Sequence, residues 1–141
     1  MDVVDVNVLL YALEPDTPRH AEAHAWLESA LNTPGTVGFT WLVVVGFLRL
    51  ATHESIWPDP LDISEATDIV AEWLDAPGSL VLEPTARHLA VVRGFLMETG
   101  SAGNLTNDAH LAAIAIEHGA AVCTFDNDFG RFPGLRWHRP G

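Results

Sequence analysis

Carboxylates lie in or shortly after two apolar runs of this 141-residue chain, near points where buried strands are expected to end. Asp5 lies in the run at residues 3–6, and Asp126 and Asp128 come shortly after the run at residues 120–123. Because the carboxyl ends of parallel strands meet at one edge of a sheet, and ligands bind in the crevice beside that edge, the two strand ends can direct carboxylates into the same crevice.

A fourth acid, Asp108, lies in the first turn of a predicted helix. Each acid alone also fits a structural role, as a helix cap, beside a helix dipole or in a local turn. Together, however, several carboxylates in one crevice are unfavourable unless protons or a cation compensate for their charge. Ligand sets made only of oxygen, with open positions for water, suit Mg²⁺ or Mn²⁺, and such sites hydrolyse phosphodiesters by activating water.

Strand and helix patterns alternate along the chain and must position these acids. Strands are predicted at residues 3–6, 37–39, 80–82, 121–124 and 135–137, and helices at residues 8–13, 18–31, 41–51, 63–74, 85–97 and 107–117. Thr17 with Pro18, Thr40 and Thr106 are predicted to begin three of the helices. The alternation predicts a parallel sheet covered on both faces, in one domain spanning residues 1–141.

The composition is acidic, with 19 Asp and Glu residues against seven arginines and no lysine, and a net charge of −12. Taken alone, this charge argues against nucleic-acid binding and favours a basic partner or bound cations. The single cysteine, Cys123, cannot form an intramolecular disulfide, which favours a reducing cytoplasmic location. No apolar stretch is long enough to span a bilayer, so no membrane association is predicted.

Four segments, in this order, resemble the PIN domain and, more narrowly, the VapC toxins of bacterial VapBC toxin–antitoxin modules. They are residues 5–12 (DVNVLLYA), 47–52 (FLRLAT), 107–113 (NDAHLAA) and 124–129 (TFDNDF) with residues 131–133 (RFP). The resemblance runs from the first predicted strand to the last and covers nearly the whole chain.

This resemblance implies a three-layer α/β/α sandwich with a central parallel sheet of four to five strands. It also implies an endoribonuclease toxin that depends on Mg²⁺ or Mn²⁺, forms a homodimer and is neutralised by a VapB antitoxin whose tail blocks the crevice. The site residues that it implies are Asp5 and Asp108 as metal ligands, Asp126 completing the catalytic set, Asp128 assisting, and Asn7 and Thr124 supporting the carboxylates.

The sequence departs from this family at one position. The family usually carries a glutamate in the helix after the second strand, where the alignment places Gly46. Glu54 lies eight residues further on and is not expected to substitute for it. This departure keeps an alternative open, namely a catalytically weak PIN domain that acts mainly as an antitoxin- or RNA-binding module.

Three other interpretations are disfavoured by particular residues. A phosphoacceptor receiver domain needs a lysine, and a hydrolase with a nucleophilic Asp-x-Asp fails because the motif reads Asp5-Val6-Asn7. His20 and His24 stand four residues apart but lack the metalloprotease order His-Glu-x-x-His, so we predict an exposed helix face there.

Overall fold

A five-stranded sheet, entirely parallel, organises the computed structural model, which describes residues 1–141. The strands are β1 (Asp2–Val4), β2 (Val37–Phe39), β3 (Ser79–Val81), β4 (Ala121–Cys123) and β5 (Trp137–His138), in the spatial order β3-β2-β1-β4-β5. The central strand β1 pairs Asp2 with Val37 of β2 and with Ala121 of β4. The predicted fold class, an α/β sandwich with a parallel sheet of four to five strands, is confirmed.

Six α-helices connect and cover the strands. They are α1 (Val6–Leu13), α2 (His20–Asn32), α3 (Trp41–Ala51), α4 (Ile63–Asp75), α5 (His88–Thr99) and α6 (Leu105–Glu117). α1 packs against α2 and α3, α3 also packs against α4, and α5 pairs with α6, which lies on β4 and β1. None of the helices is both long and apolar enough to cross a membrane.

The strand order creates a natural crevice beside β1. From β1 the chain moves outward to β2 and β3, then returns to the other side of β1 to form β4 and β5. The connections leaving β1 and β4 therefore diverge, and a gap opens between them at the carboxyl edge of the sheet. Asp5 follows β1 directly and Asp126 follows β4 by three residues, so the topology brings these acids to the same gap.

Small residues let α6 approach the sheet closely. Four alanines of α6, Ala109, Ala112, Ala113 and Ala115, are fully buried. The helix ends at His118 and Gly119, where the glycine adopts φ +65°, a left-handed conformation that other residues rarely tolerate. The chain can then turn directly into β4, which places the first turn of α6, with Asp108, beside the gap.

Aromatic side chains anchor the segment that follows β4. A short 3₁₀ helix at Asn127–Arg131 comes directly after Asp126. The buried ring of Phe129 packs edge-on against Phe132 at 5.9 Å, and Phe132 packs against Phe95 of α5 at 5.0 Å. Burying such rings supplies a large apolar area and fixes their orientation, so Asp126 is held at the end of an anchored loop.

A polar network joins α5 to α6 away from this gap. The buried carboxylate of Glu117 accepts hydrogen bonds from the amide and hydroxyl of Thr85 and lies 2.6 Å from His88 Nδ1. His88 Nε2 lies 2.8 Å from His110 Nδ1. Although burial acts to raise it, these hydrogen bonds hold the pKa of Glu117 below its ordinary value. The carboxylate therefore stays ionised as an acceptor that ties the two helices together.

Several predicted boundaries are wrong by a few residues, because caps and tertiary packing decide where elements end. The strand predicted at residues 3–6 ends at Val4, and Asp5 caps α1 instead. Thr17 and Pro18 precede α2, which begins only at His20. Thr106 lies inside α6, which begins at Leu105, and its hydroxyl donates to the Ser101 carbonyl rather than capping the helix.

The other differences are smaller. The helix predicted at residues 85–97 spans His88–Thr99, and the strands predicted at residues 80–82, 121–124 and 135–137 span Ser79–Val81, Ala121–Cys123 and Trp137–His138. The cap at Thr40 is correct, since its hydroxyl accepts a hydrogen bond from the Val43 amide. The 3₁₀ helix after Asp126 was not predicted.

Candidate active site

A crevice of about 380 Å³ lies at the carboxyl edge of the sheet, between α3 and α6. Asp5, Asp108 and Asp126 all line it, one from the end of β1, one from the first turn of α6 and one from the segment after β4. Residues that are distant in sequence therefore converge as the sequence predicts. Asp128 does not line the crevice and is exposed on the adjoining 3₁₀ helix.

Asp5 is the most enclosed of these acids, with only 9% of its surface exposed. Its Oδ1 accepts a hydrogen bond from the Val6 amide at 2.8 Å and so caps α1. Its Oδ2 accepts from the Thr124 hydroxyl at 2.8 Å and from the Asn7 side-chain amide at 3.3 Å. Burial raises the pKa of Asp5, while the bonds from Thr124 and Val6 act to lower it.

Asn7 and Thr124 link the ends of β1 and β4 across the crevice floor. Besides contacting Asp5, the Asn7 side-chain amide lies 3.3 Å from Thr124 Oγ1, and its Oδ1 accepts from the Phe125 amide at 3.2 Å. Thr124 Oγ1 in turn accepts from the Asp126 amide at 2.9 Å. Asn7 and Thr124 each form hydrogen bonds with groups at the ends of both strands, so the positions of Asp5 and Asp126 are coupled.

Asp126 organises its own turn. Its Oδ1 accepts a hydrogen bond from the Asp128 amide at 2.9 Å, which starts the 3₁₀ helix. No protein donor occupies Oδ2 of this half-buried carboxylate, which leaves that atom available in the crevice. Asp128 therefore contributes its backbone amide to the turn, and its side chain remains at the rim.

The pKa of Asp108 is raised well above its ordinary value. Burial, followed by the charges of Asp5, Asp126 and Asp128, raises its pKa from 3.8 to about 7. Its carboxylate receives no hydrogen bond from the protein, in contrast with Asp5. No protein hydrogen bond stabilises an ionised Asp108, and a bound cation would relieve the repulsion from the neighbouring acids.

The donor set fits a hard divalent cation of the Mg²⁺ type. The crevice offers carboxylate oxygens and amides, with no thiolate or imidazole among its lining residues. As placed, no three carboxylate, imidazole or thiol groups are close enough to hold one ion together. Mg²⁺ commonly binds through one or two carboxylates and keeps several waters, so Asp108 and Asp5 or Asp126 would suffice.

The α3 wall of the crevice has a different chemistry from the acidic wall. Its lining residues are Leu42, Val43, Val45, Gly46, Arg49 and Leu50, which include one cation and no acid. Gly46 lies on α3 and lines the crevice. A Cβ at this position would meet only Val6 Cγ2, at 3.8 Å, which is an ordinary van der Waals contact. Glu54 lies beyond the end of α3 and does not line the crevice.

Sequence reasoning missed Arg49 and Asn104 as crevice residues. Residues 104, 107, 108 and 111 all line the crevice from α6 and its cap. This i, i+3, i+4, i+7 spacing defines one helix face, so the position of Asp108 would have been enough to find Asn104. Arg49 was expected, together with Arg87 and Arg93, as one of a few arginines that contact RNA phosphates, but of the three it alone lines the crevice.

The two histidines of α2 lie outside the crevice. His24 is exposed, as predicted, and its Nε2 lies 3.3 Å from Glu28. His20 is half-buried, which differs from the prediction, because its Nδ1 hydrogen-bonds to the Tyr11 carbonyl at 2.9 Å. Neither histidine contributes to the acidic site.

Comparison with known proteins agrees with this fold. The PIN domain family model matches residues 3–135. Ribonuclease VapC37 of Mycobacterium tuberculosis is 44% identical over 140 residues, covering 99% of this chain and 97% of the relative. Ribonuclease VapC33 of the same species is 39% identical, covering 99% and 98% of the two chains. The chain belongs to the PIN domain family and, within it, to the VapC ribonucleases.

Solved structures share the fold at much lower sequence identity. The VapBC2 structure from Rickettsia felis, bound to a promoter DNA fragment, matches with a TM-score of 0.69 at 18% identity, covering 97% of this chain and 96% of that one. The structure of Mycobacterium tuberculosis VapC20, described as a sarcin-ricin loop cleaving toxin, matches with a TM-score of 0.68 at 19% identity, covering 96% and 99%. At these identities the likeness establishes the fold.

The raised pKa of Asp108 predicts a pH-dependent stability of the metal-free protein. Because the folded-state pKa of about 7 exceeds the unfolded value of 3.8, the folded state holds this proton more tightly. The destabilisation caused by ionising Asp108 in the folded state is absent below pH 3.8. It grows as the pH rises and is complete above about pH 7. Asp108→Asn should therefore stabilise the protein at pH 7.5, by about 1–2 kcal/mol more than at pH 5 after discounting for partial exposure.

Chemical denaturation of both proteins in chelator, at the two pH values, measures this difference. A stability gap between wild type and Asp108→Asn that does not change from pH 5 to pH 7.5 would contradict the electrostatic account of Asp108.

Proposed function

We propose that this chain is the toxin of a type II toxin–antitoxin module, a Mg²⁺-dependent endoribonuclease that cleaves phosphodiester bonds of RNA, with Mn²⁺ as a possible substitute. The observation that carries the proposal is the convergence of Asp5, Asp108 and Asp126 in one crevice of a VapC-family domain. The similarity to the ribonucleases VapC37 and VapC33 supports the reaction class.

The residues of the crevice have distinct roles in this proposal. Asp5 and Asp108 would hold the metal, and Asp126 would complete the site through its free Oδ2. The bound ion would supply a more acidic water and stabilise charge on the phosphate oxygens. Asn7 and Thr124 position Asp5 and, by donating to Oδ2, favour its ionised form against the effect of burial. Asp128 starts the turn that presents Asp126.

Two features favour the alternative of a catalytically weak binding module. The crevice contains Gly46 where the family usually has a glutamate, and the protein has a net charge of −12. A weak module would bind an antitoxin or RNA without appreciable turnover. Metal-dependent cleavage by the purified protein separates the two functions.

Loss of one metal-binding carboxylate should abolish cleavage. Asp108→Asn is the sharper substitution, because the Asp108 side chain makes no hydrogen bond within the protein, whereas Asp5 also caps α1. We expect cleavage of total cellular RNA in Mg²⁺ to fall on the order of 100-fold or more, with the fold retained. Asp5→Asn should act similarly and also remove toxicity on expression.

Asp75→Asn provides the matched control, since Asp75 is exposed at the end of α4 and outside the crevice. It should cleave like wild type. Undiminished cleavage by Asp108→Asn or Asp5→Asn would reject the assigned site, and mapping of the cut positions would identify the RNA.

A VapB-type antitoxin is the proposed protein partner, and a homodimer the proposed assembly. The solved VapBC structures that share this fold support a partner of that type. A carboxylate-lined crevice on a protein of charge −12 suits an arginine- or lysine-bearing segment, since guanidinium groups donate paired hydrogen bonds to carboxylates. The exposed apolar residues Leu42 and Val45, which line the crevice, would pack against the same segment.

Association with this antitoxin should therefore slow as salt is added. The rate constant, measured by stopped-flow mixing between 50 and 500 mM salt, should fall by roughly tenfold or more because charge attraction accelerates the encounter. A rate that does not change with salt would indicate a purely apolar interface. Sedimentation of the free toxin tests the homodimer.

Gly46→Glu should strengthen the metal site. The structure leaves room at this position, and glutamate is a better helix residue than glycine. We expect tighter Mg²⁺ binding and faster cleavage at low metal concentration, whereas wild type should need millimolar Mg²⁺ or Mn²⁺. Cleavage must be compared at saturating RNA, because the new carboxylate would lie three residues from Arg49 on the same helix face.

Gly46→Ala is the control for backbone effects and should leave metal affinity unchanged. If Gly46→Glu folds normally but improves neither metal affinity nor cleavage, another group already fills this role or the alignment at Gly46 is incorrect.

A further inference from the structure

Arg49 is the only cation that lines the acidic crevice. Four of the seven arginines are occupied elsewhere: Arg131, Arg136 and Arg139 donate hydrogen bonds to oxygen atoms, and Arg19 stacks over Phe125 and Tyr11. Arg87 and Arg93 lie at the N-cap of α5 and within it, outside the crevice. Arg49 is thus the one arginine placed to act on a molecule in the crevice.

The guanidinium of Arg49 is free to bind. Its side chain is exposed and makes no hydrogen bond or ion pair, although the crevice contains three carboxylates. Arg49 comes from α3, whereas the acids come from the opposite side, at the ends of β1 and β4 and on α6. The crevice therefore separates its positive group from its negative groups instead of pairing them.

Gly46 keeps the path to Arg49 open. The two residues are three positions apart on α3, so they lie on one face of the helix. The nearest atom to a Cβ at Gly46 would be Val6 Cγ2 at 3.8 Å, which leaves the helix surface bare. An extended strand can therefore pass close to α3 backbone at Gly46 and reach the guanidinium one turn later.

We propose that Arg49 binds a backbone phosphate of the RNA strand, adjacent to the phosphate that is cleaved. This inference rests on the proposed ribonuclease function and assigns RNA binding to the α3 wall of the crevice. The planar guanidinium matches the geometry of phosphate oxygens and donates two parallel hydrogen bonds to them. On a protein of charge −12 with no lysine, one such contact carries an unusual share of the affinity for a polyanion.

Arg49→Ala tests the proposal, with Arg93→Ala as the matched control. Both residues are exposed helix arginines and both substitutions remove one positive charge, but Arg93 lies outside the crevice. In Mg²⁺, Arg49→Ala should raise the KM for a single-stranded RNA substrate about tenfold, with kcat within about twofold of wild type. Arg49→Lys should recover part of the loss, and Arg93→Ala should match wild type.

Salt dependence supplies a readout that a purely structural role would not change. Binding of a fluorescent RNA oligonucleotide is measured in the cleavage-deficient Asp108→Asn background, with and without Arg49→Ala. Loss of one phosphate contact should reduce the slope of log K against log salt by about 0.7. An unchanged KM and slope for Arg49→Ala, or equal effects of Arg49→Ala and Arg93→Ala, would overturn the proposal.

The ribonuclease function and the role of Arg49 in phosphate binding can be tested separately. If wild type cleaves no RNA at any Mg²⁺ or Mn²⁺ concentration, the ribonuclease function fails, whereas the binding measurement still decides the role of Arg49. If wild type cleaves RNA and Arg49→Ala weakens only antitoxin binding, Arg49 belongs to the antitoxin interface and the phosphate assignment is wrong.

Discussion

The hydrogen-bonded junction between the ends of β1 and β4 is the constraint on which the rest of the site depends. The Asp5 amide donates to the Cys123 carbonyl at 3.0 Å, which continues the parallel ladder one residue beyond β1. The Asp5 carboxylate then accepts from Thr124, the residue after β4. Backbone register and side-chain bonding therefore act together, and a shift of either strand would separate Asp5 from Asp126.

This junction concentrates negative charge that the protein does not neutralise by itself. Hydrogen bonds from Val6, Thr124 and Asn7 stabilise the ionised form of Asp5, but Asp108 has no comparable donor. Its pKa of about 7 reflects the cost of burying a carboxylate and, after that, of placing it beside other acids. Such a cost is common where stability is given up for binding, because a ligand of opposite charge removes it.

The separation of charge across the crevice explains how an acidic protein could act on a polyanion. The surface as a whole repels RNA, so attraction must be local and short in range. The acidic wall suits a cation, and the α3 wall presents Arg49 with apolar neighbours. A cationic antitoxin segment would instead be attracted to the surface as a whole. The same charge distribution would therefore favour binding of the inhibitory antitoxin and would restrict RNA binding to the site beside Arg49.

The fold class and the main acidic residues could be predicted from the sequence. Strands and helices could be predicted because apolar runs and helical spacing are local periodicities that can be recognised along the chain. The order of the PIN-like segments identified the family. The positions of Asp5 and Asp126 at the carboxyl edge of the sheet followed from the rule for parallel sheets, whereas the pairing of β1 with β4 was seen only in the structure. Boundaries were less accurate, because Asp5 ends β1 by capping α1 and α6 begins at Leu105 without a side-chain cap.

Only the tertiary structure decided which groups share the crevice and in what state. The contacts of Thr124 and Asn7 with Asp5 join residues more than 100 positions apart, and no local pattern encodes such distances. The raised pKa of Asp108 depends on burial and on three acids from other elements. Arg49 gains its significance only because α3 faces those acids across the crevice. The sequence determined the residues available for chemistry, and packing determined their neighbours, because burial and charge interactions depend on spatial proximity.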